Sequence, residues 1–96
     1  MFVLVTYDVA TSSEGGKRRL RRVAKACLNY GQRVQNSVFE CVIDPKDFEK
    51  LKAIILSIID QNEDSIRFYH LNNSLVDKVD HYGVKETIKV TEPIIL

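Results

Sequence analysis

Residues 33–43 have the sequence RVQNSVFECVI, and this stretch decides how the chain folds. It is rich in β-branched and apolar residues but too long for one flat strand, and Asn36 and Ser37 near its middle favour a sharp turn. We therefore predict two antiparallel strands here. A helix should follow directly, because Asp44 is a candidate N-cap and Pro45 suits the first helical position.

The segments on either side have the periodicities of further strands and helices. Strands are expected from Phe2 to Tyr7 and from Ser65 to Leu71. After a polar loop that contains two glycines, the first helix should run from about Lys17 to Asn29 and be stopped by Gly31. Apolar residues recur at helical spacing in both helices: Leu20, Val23, Ala24, Cys27 and Leu28 in the first, and Phe48, Leu51, Ile54, Ile55, Ile58 and Ile59 in the second.

The order strand, helix, strand, strand, helix, strand is typical of an α+β, ferredoxin-like βαββαβ fold. In that fold both helices cover one face of a four-stranded antiparallel sheet and leave the other face bare. Leu75 to Tyr82 and Thr87 to Val90 are weaker strand candidates, which predict an additional C-terminal strand. We interpret residues 1–96 as a single ferredoxin-like domain. The C-terminal extension, from about residue 75 to 96, should pack on the partner in a homodimer, because an unpaired sheet edge invites pairing.

Positive charge is concentrated in one part of the chain, although the formal net charge is only +1. Half of the 14 Lys and Arg residues lie between Glu14 and Glu40, and no acidic residue lies between these two positions. Such clustering favours a nucleic-acid-binding face over a merely solvated helix. On the first helix we predict nucleic-acid contacts from four residues: Lys17, Arg18, Arg19 and Arg22.

Several classes of protein and site are disfavoured by the sequence. No apolar segment is long enough to span a membrane, and the first is too short for a secretory signal, so we expect a cytoplasmic protein. Cys27 and Cys41 lack the spacing of a zinc or redox motif and are expected to be reduced thiols. His70 and His81 are isolated and are assigned no catalytic role.

The first strand ends on Asp8, a carboxylate at a rigid rim that is followed by the basic helix. A single carboxylate is a poor metal site, but pairing two copies about a two-fold axis would bring two together, with Mg²⁺ or Mn²⁺ between them. A cation there would polarise a phosphodiester and activate water. The alternative is that Asp8 only forms a turn at the end of the strand.

Three features together resemble the CRISPR-associated protein 2 family: the strand that ends in Tyr7-Asp8, the arginine-rich helix, and the stretch from Gly31 to Glu40. The whole chain, including its short tail, is similar to members that accompany type I systems of subtype C. The resemblance implies a ferredoxin-like homodimer that works in spacer acquisition and is bound between two dimers of the integrase partner, CRISPR-associated protein 1. It also implies metal-dependent endonuclease activity on RNA or on double-stranded DNA.

The resemblance also suggests roles for individual residues. Asp8 matches the family's signature aspartate, which implies a catalytic metal ligand, and Tyr7 matches the aromatic residue before it. We predict that Tyr7, Arg33 and Ser37 contact nucleic acid together with the cations of the first helix. Arg33 and Phe39 match positions associated with the nucleolytic site, and Arg22 aligns with a basic position on the first helix.

Each of these residues has a structural alternative. Tyr7 continues an apolar strand and could be a packed aromatic residue, and Arg33 could be an ordinary charge on an edge strand. Phe39 is expected to pack at the site rather than to react. Ser37 shapes the turn, and its hydroxyl could also reach a phosphate.

Two other functions stay open beside the nuclease. The chain could be an architectural scaffold that bridges integrase dimers without catalysis, or a toxin-type messenger RNA interferase of the same fold. An RNA-recognition module is disfavoured, because Val38 to Val42 lacks the interleaved aromatic residues on which bases stack.

Overall fold

The computed structural model of the chain describes residues 1–10, 12, 14–72 and 75–84. The elements follow the predicted order. The strands are β1 (Phe2–Asp8), β2 (Gly31–Gln35), β3 (Val38–Val42), β4 (Ser65–Asn72) and β5 (Leu75–Gly83), and the helices are α1 (Glu14–Cys27) and α2 (Pro45–Ile58).

The strands form one sheet in the order β2-β3-β1-β4-β5, with every neighbouring pair antiparallel. The first four strands have the ferredoxin-like arrangement, so the predicted fold class is confirmed. The additional strand is also present: β5 extends the sheet by pairing with β4 of the same chain. The rest of the predicted extension, including the strand candidate at 87–90, lies outside the described residues.

Both helices pack on one face of the sheet, which we call the helix-covered face. Val3, Val5 and Tyr7 of β1 point to this face, where they join a core that also contains Leu20 of α1 and Leu51 of α2. The opposite face, which we call the helix-free face, carries the alternate residues of each strand. Thr6 and Asp8 therefore belong to the helix-free face.

Helix α1 begins at Glu14, three positions before the predicted start, and therefore includes both loop glycines. Gly16 is buried within the helix, although glycine has a low helix propensity. The helix ends at Cys27, before the predicted end. Gly31 has another role: a Cβ atom there would lie 1.8 Å from the Glu40 carbonyl oxygen, so glycine allows β2 to lie against β3.

Helix α2 begins as predicted. The Asp44 side chain caps it by accepting a hydrogen bond of 2.8 Å from the backbone nitrogen of Asp47, and Pro45 is the first helical residue. In the described residues, no helix is long and apolar enough to cross a membrane.

Candidate metal and nucleic-acid site

A depression of about 250 Å³ lies on the helix-free face where β1 ends. We call it the Asp8 depression. It is lined by Thr6, Tyr7, Asp8, Ser37, Val38, Ser65 and Arg67. Antiparallel pairing explains this set, because Asp8 lies opposite Ser65 on β4, whereas Thr6 lies opposite Val38 on one side and Arg67 on the other. The site thus combines a carboxylate, hydroxyl groups and a guanidinium on neighbouring strands.

The Asp8 side chain is exposed at the rim of this depression. Across residues 1–10, 12, 14–72 and 75–84, no group of three or more His, Cys, Asp or Glu side chains could hold a metal ion. Of the described residues that line the depression, Asp8 is the one with a carboxylate, and Thr6, Ser37 and Ser65 are residues with hydroxyl groups. Divalent cations that prefer oxygen need more ligands than this, so a metal site there needs water, substrate or a second chain.

Tyr7 points away from this depression into the core, where its residue is only 2% exposed. Its hydroxyl donates a hydrogen bond of 2.5 Å to Oδ2 of Asp64, and its backbone nitrogen donates to the Ser37 carbonyl at 2.9 Å. Burial and the Asp64 carboxylate raise the pKa of Tyr7, so the phenol stays a neutral donor. The structure therefore gives Tyr7 a packed position, and its predicted contact with nucleic acid would require these contacts to break.

Asp64, in the loop before β4, is completely buried and holds this end of the domain together. Its carboxylate accepts hydrogen bonds from the Tyr7 hydroxyl, from Arg19, and from the backbone nitrogens of Ala10 and Asp60. Burial alone would raise the pKa of Asp64, but these donors, Arg19 first, hold its pKa below the usual range. One carboxylate thus connects β1, the β1–α1 loop, α1 and the loop after α2.

Arg19 differs from the other cations of α1, because it takes part in this network. Its Nε lies 2.8 Å from Oδ2 of Asp64, and its Nη2 lies 3.2 Å from a carboxylate oxygen of Glu63. Hydrogen bonding to Asp64 raises the pKa of Arg19 further above its normal value. Because these partners occupy the guanidinium, Arg19 is a weaker candidate for phosphate contact than the sequence suggested.

The other predicted cations of α1 are exposed: Lys17, Arg18 and Arg22. They belong to a helix that packs on the helix-covered face, whereas the Asp8 depression opens on the opposite face. The structure therefore does not place these cations and Asp8 in one pocket of a single chain.

Arg33 and Phe39 are brought together by the pairing of β2 with β3. The Arg33 guanidinium carbon lies 5.5 Å from the centre of the Phe39 ring, and its Nε donates to the Asn36 carbonyl at 2.7 Å. Phe39 is fully buried and belongs to the core, consistent with packing rather than reaction. Both side chains are therefore on the helix-covered side, away from the Asp8 carboxylate.

Sequence reasoning missed two residues at this site. Asp64 lies in a polar stretch of the sequence after α2, and nothing local signals that it meets Tyr7, which is 57 positions away. Arg67 looked like one member of an alternating strand, and only the pairing of β4 with β1 shows that it lies beside Thr6. The two cysteines are free and buried.

Comparison with known proteins agrees with this architecture. The family model described as CRISPR associated protein Cas2 matches residues 1–79. The chain belongs to the Cas2 family. Among curated relatives, the CRISPR-associated endonuclease Cas2 of Halalkalibacterium halodurans is 56% identical over 95 residues, which cover 99% of each chain. The CRISPR-associated endoribonuclease Cas2 of Nitratidesulfovibrio vulgaris is 52% identical over 96 residues, which cover 100% of this chain and 94% of the relative.

A solved Cas2 structure is also similar. The crystal structure of Streptococcus pyogenes Cas2 at pH 6.5 matches with a TM-score of 0.73 and 58% sequence identity. The match covers 75% of this chain and 87% of the streptococcal chain. Both the sequence and the fold thus support membership of the Cas2 family.

Proposed function

We propose that this chain acts as a homodimeric, metal-dependent endonuclease in CRISPR adaptation and hydrolyses phosphodiester bonds at Asp8. The observation that carries the proposal is the position of Asp8: an exposed carboxylate at the end of a buried strand, in a depression that also contains Arg67 and hydroxyl groups. Two curated Cas2 relatives named as nucleases support it.

The surroundings of Asp8 suit a catalytic ligand because the backbone on either side is held. Tyr7, the residue before it, is anchored through its hydroxyl to Asp64, and Ala10 donates its backbone nitrogen to the same carboxylate at 3.3 Å. A side chain whose neighbours are fixed loses little entropy when it binds a cation. Asp8 itself has no polar partner recorded among the described residues, so its oxygens are available to a ligand.

A second copy of the chain would complete the metal site. If the helix-free faces of two chains meet about a two-fold axis near Asp8, two carboxylates share one Mg²⁺ or Mn²⁺, which supplies Lewis-acid polarisation of the phosphodiester and activation of water. Two apolar residues favour this pairing: Val42 is 71% exposed and Val79 is 44% exposed, and both lie on that face by strand alternation. Apolar surface of this kind is stabilised by burial against another copy.

Nucleic acid would be bound mainly through the phosphate backbone. The exposed cations Lys17, Arg18 and Arg22 provide a sequence-independent surface on α1, whose affinity should fall with rising salt. Both double-stranded DNA and single-stranded RNA fit this surface, and the curated relatives are named both endonuclease and endoribonuclease. The integrase of the CRISPR system, CRISPR-associated protein 1, is the proposed protein partner.

The test is Asp8→Asn, which keeps the shape of the side chain but removes the charge. We expect cleavage of duplex DNA and single-stranded RNA to require Mg²⁺ or Mn²⁺ in the wild type and to disappear in the variant, while binding in chelator stays near normal. Glu49→Gln, at a side chain 67% exposed on α2, is the matched control for loss of one negative charge. Cleavage by a rigorously repurified Asp8→Asn protein at the wild-type rate would refute the catalytic role.

An architectural role is the second candidate. The specific observation in its favour is that, among the described residues, Asp8 is the one carboxylate that lines the depression. In that case the dimer bridges integrase dimers and spans the captured duplex without cutting it. Spacer acquisition in cells that carry Asp8→Asn distinguishes the two functions. Undiminished acquisition with no cleavage favours the scaffold, whereas loss of both favours the nuclease.

A further inference from the structure

Arg67 is the third residue of β4 and lies on the helix-free face, two positions after Ser65, the residue that pairs with Asp8. It is in register with Thr6 of β1 on one side and with His81 of β5 on the other. Arg67 and Asp8 line the same depression. The strand pairing therefore puts the Arg67 side chain on the strand next to the one that carries Asp8, and on the same face.

The charge of Arg67 is not neutralised by the described part of the chain. Its recorded polar contact is from Nη1 to the Tyr69 hydroxyl at 3.5 Å, the outer limit of a hydrogen bond. No described carboxylate oxygen lies within 4.0 Å of it, in contrast to Arg19, whose guanidinium pairs with Asp64 and Glu63. A partly buried guanidinium without an acidic partner is stabilised when it binds an anion.

We propose that Arg67 binds a non-bridging oxygen of the phosphodiester whose bond is cleaved at Asp8. This inference rests on the proposed function. Negative charge on the phosphate repels the Asp8 carboxylate, and Arg67 offsets that repulsion with the planar fork that suits phosphate oxygens. In hydrolysis, the attacking water loses one proton to solvent as its oxygen bonds to phosphorus. The bond to the sugar oxygen breaks, and that leaving oxygen takes up a proton from solvent. Arg67 exchanges no proton and stabilises the charge that grows on the phosphate.

Phosphate binding by Arg67 and a purely structural role for Arg67 predict different effects of the same substitution. In a homodimer built on this face, Arg67 could instead pair with Asp8 of the second copy and hold the two chains together. Arg67→Gln would then weaken the dimer. If Arg67 binds phosphate, the dimer should persist while turnover and phosphate affinity fall.

The experiment compares Arg67→Gln and Arg67→Lys with wild type, with Lys50→Gln on α2 as a control for loss of one positive charge. We expect turnover of Arg67→Gln at saturating DNA or RNA to fall about 100-fold, the loss typical of removing one donor to a developing oxyanion. Arg67→Lys should lose less, because it keeps the charge but not the fork. Lys50→Gln should match wild type, since Lys50 is exposed on the other side of the sheet.

Two further readouts do not depend on catalysis. In chelator, the slope of log affinity for a DNA duplex against log salt should shrink by about 0.9 in Arg67→Gln, which corresponds to one phosphate contact. Mn²⁺ should bind Arg67→Gln at least as tightly as wild type, because a nearby positive charge has been removed. A variant that disrupted the metal site would instead bind Mn²⁺ more weakly.

The proposal is overturned if Arg67→Gln turns over like wild type, keeps the full salt slope, or becomes monomeric by light scattering where wild type is dimeric. Asp8→Asn, measured in parallel, separates this result from failure of the proposed function. If Asp8→Asn still cleaves, the nuclease site is wrong even where the chelator measurements support a phosphate contact at Arg67. If Asp8→Asn is inactive and Arg67→Gln is not, only the role of Arg67 fails.

Discussion

Arg19 and Asp64 are 45 positions apart in the sequence, yet Nε of one lies 2.8 Å from Oδ2 of the other. The pair connects α1 to the loop before β4, and the Tyr7 hydroxyl donates to the same carboxylate oxygen. A buried carboxylate is stable only when its oxygens are hydrogen-bonded and its charge is balanced, and here both conditions are met. This network fixes the segment that presents Asp8.

Replacing Asp64 by Asn should therefore destabilise the domain strongly. The change leaves the buried Tyr7 hydroxyl and the Arg19 guanidinium without their charged acceptor, and we expect the free energy of unfolding in urea to fall by about 3 kcal/mol. Glu63→Gln is the matched control, because that side chain is 54% exposed and pairs with the same arginine. Its effect should stay below about 0.5 kcal/mol. If Asp64→Asn and Glu63→Gln lose the same free energy of unfolding, Asp64 does not have the stabilising role that we assign to it.

The Asp64 carboxylate should also make the free energy of unfolding depend on pH in the acidic range. Because the pKa of Asp64 is lower in the folded chain than its usual value, the folded state favours the ionised form. The resulting stability is present above about pH 4, the pKa of an unperturbed Asp, and is lost as the pH falls through the lower folded-state value. Unfolding free energies of wild type and Asp64→Asn should therefore converge at low pH. A difference that is constant from pH 7 to pH 2 would rule out this linkage.

Neighbouring arginines on α1 should behave differently when each is changed to Gln. Arg18 is exposed, so Arg18→Gln should leave thermal stability unchanged and reduce the salt slope of duplex binding by about 0.9. Arg19 is paired with Asp64, so Arg19→Gln should lower stability. Thermal melts and binding titrations between low and moderate salt distinguish these effects. If Arg18→Gln keeps the full salt slope, this position makes no phosphate contact.

Charge placed on the helix-free face should break the proposed dimer. Val42 is 71% exposed, and Val42→Asp would put carboxylates into the interface at the cost of their hydration. Light scattering should then report a monomer at concentrations where wild type is a dimer. Leu28→Asp is the control, because Leu28 is 50% exposed near the end of α1 on the helix-covered side. A dimeric Val42→Asp protein would require another interface.

The sequence was sufficient for the fold because its signals are local. The turn at Asn36 and Ser37 and the cap at Asp44 depend on a few adjacent residues, and both were confirmed in the structure. The apolar spacing of the two helices was confirmed for most of the predicted residues, but Leu28 and Ile54 are about half exposed. The start of α1 was missed because Gly15 and Gly16 resemble a loop, whereas burial of Gly16 depends on tertiary packing. The helix propensity of a residue does not include the free energy that it gains from tertiary packing.

The site was predicted less completely, because its geometry is long-range. The place of Asp8 at the end of a buried strand made it the candidate metal ligand, and the structure puts it in the depression. Its neighbour Tyr7 could not be assigned to the core rather than to substrate, since the partner that fixes it, Asp64, is 57 positions away. Arg67 was overlooked for the same reason: strand register, rather than sequence distance, brings it to the depression.

Tyr7 anchors the strand to the core, whereas the proposed metal ligand is Asp8, the next residue in the sequence. Since the scaffold is secured by the phenol and its buried acceptor, position 8 is open to redesign without unsettling the domain. At the proposed metal site, a glutamate or histidine in place of Asp8 should change the type and reach of the donor atom, and therefore which ion binds.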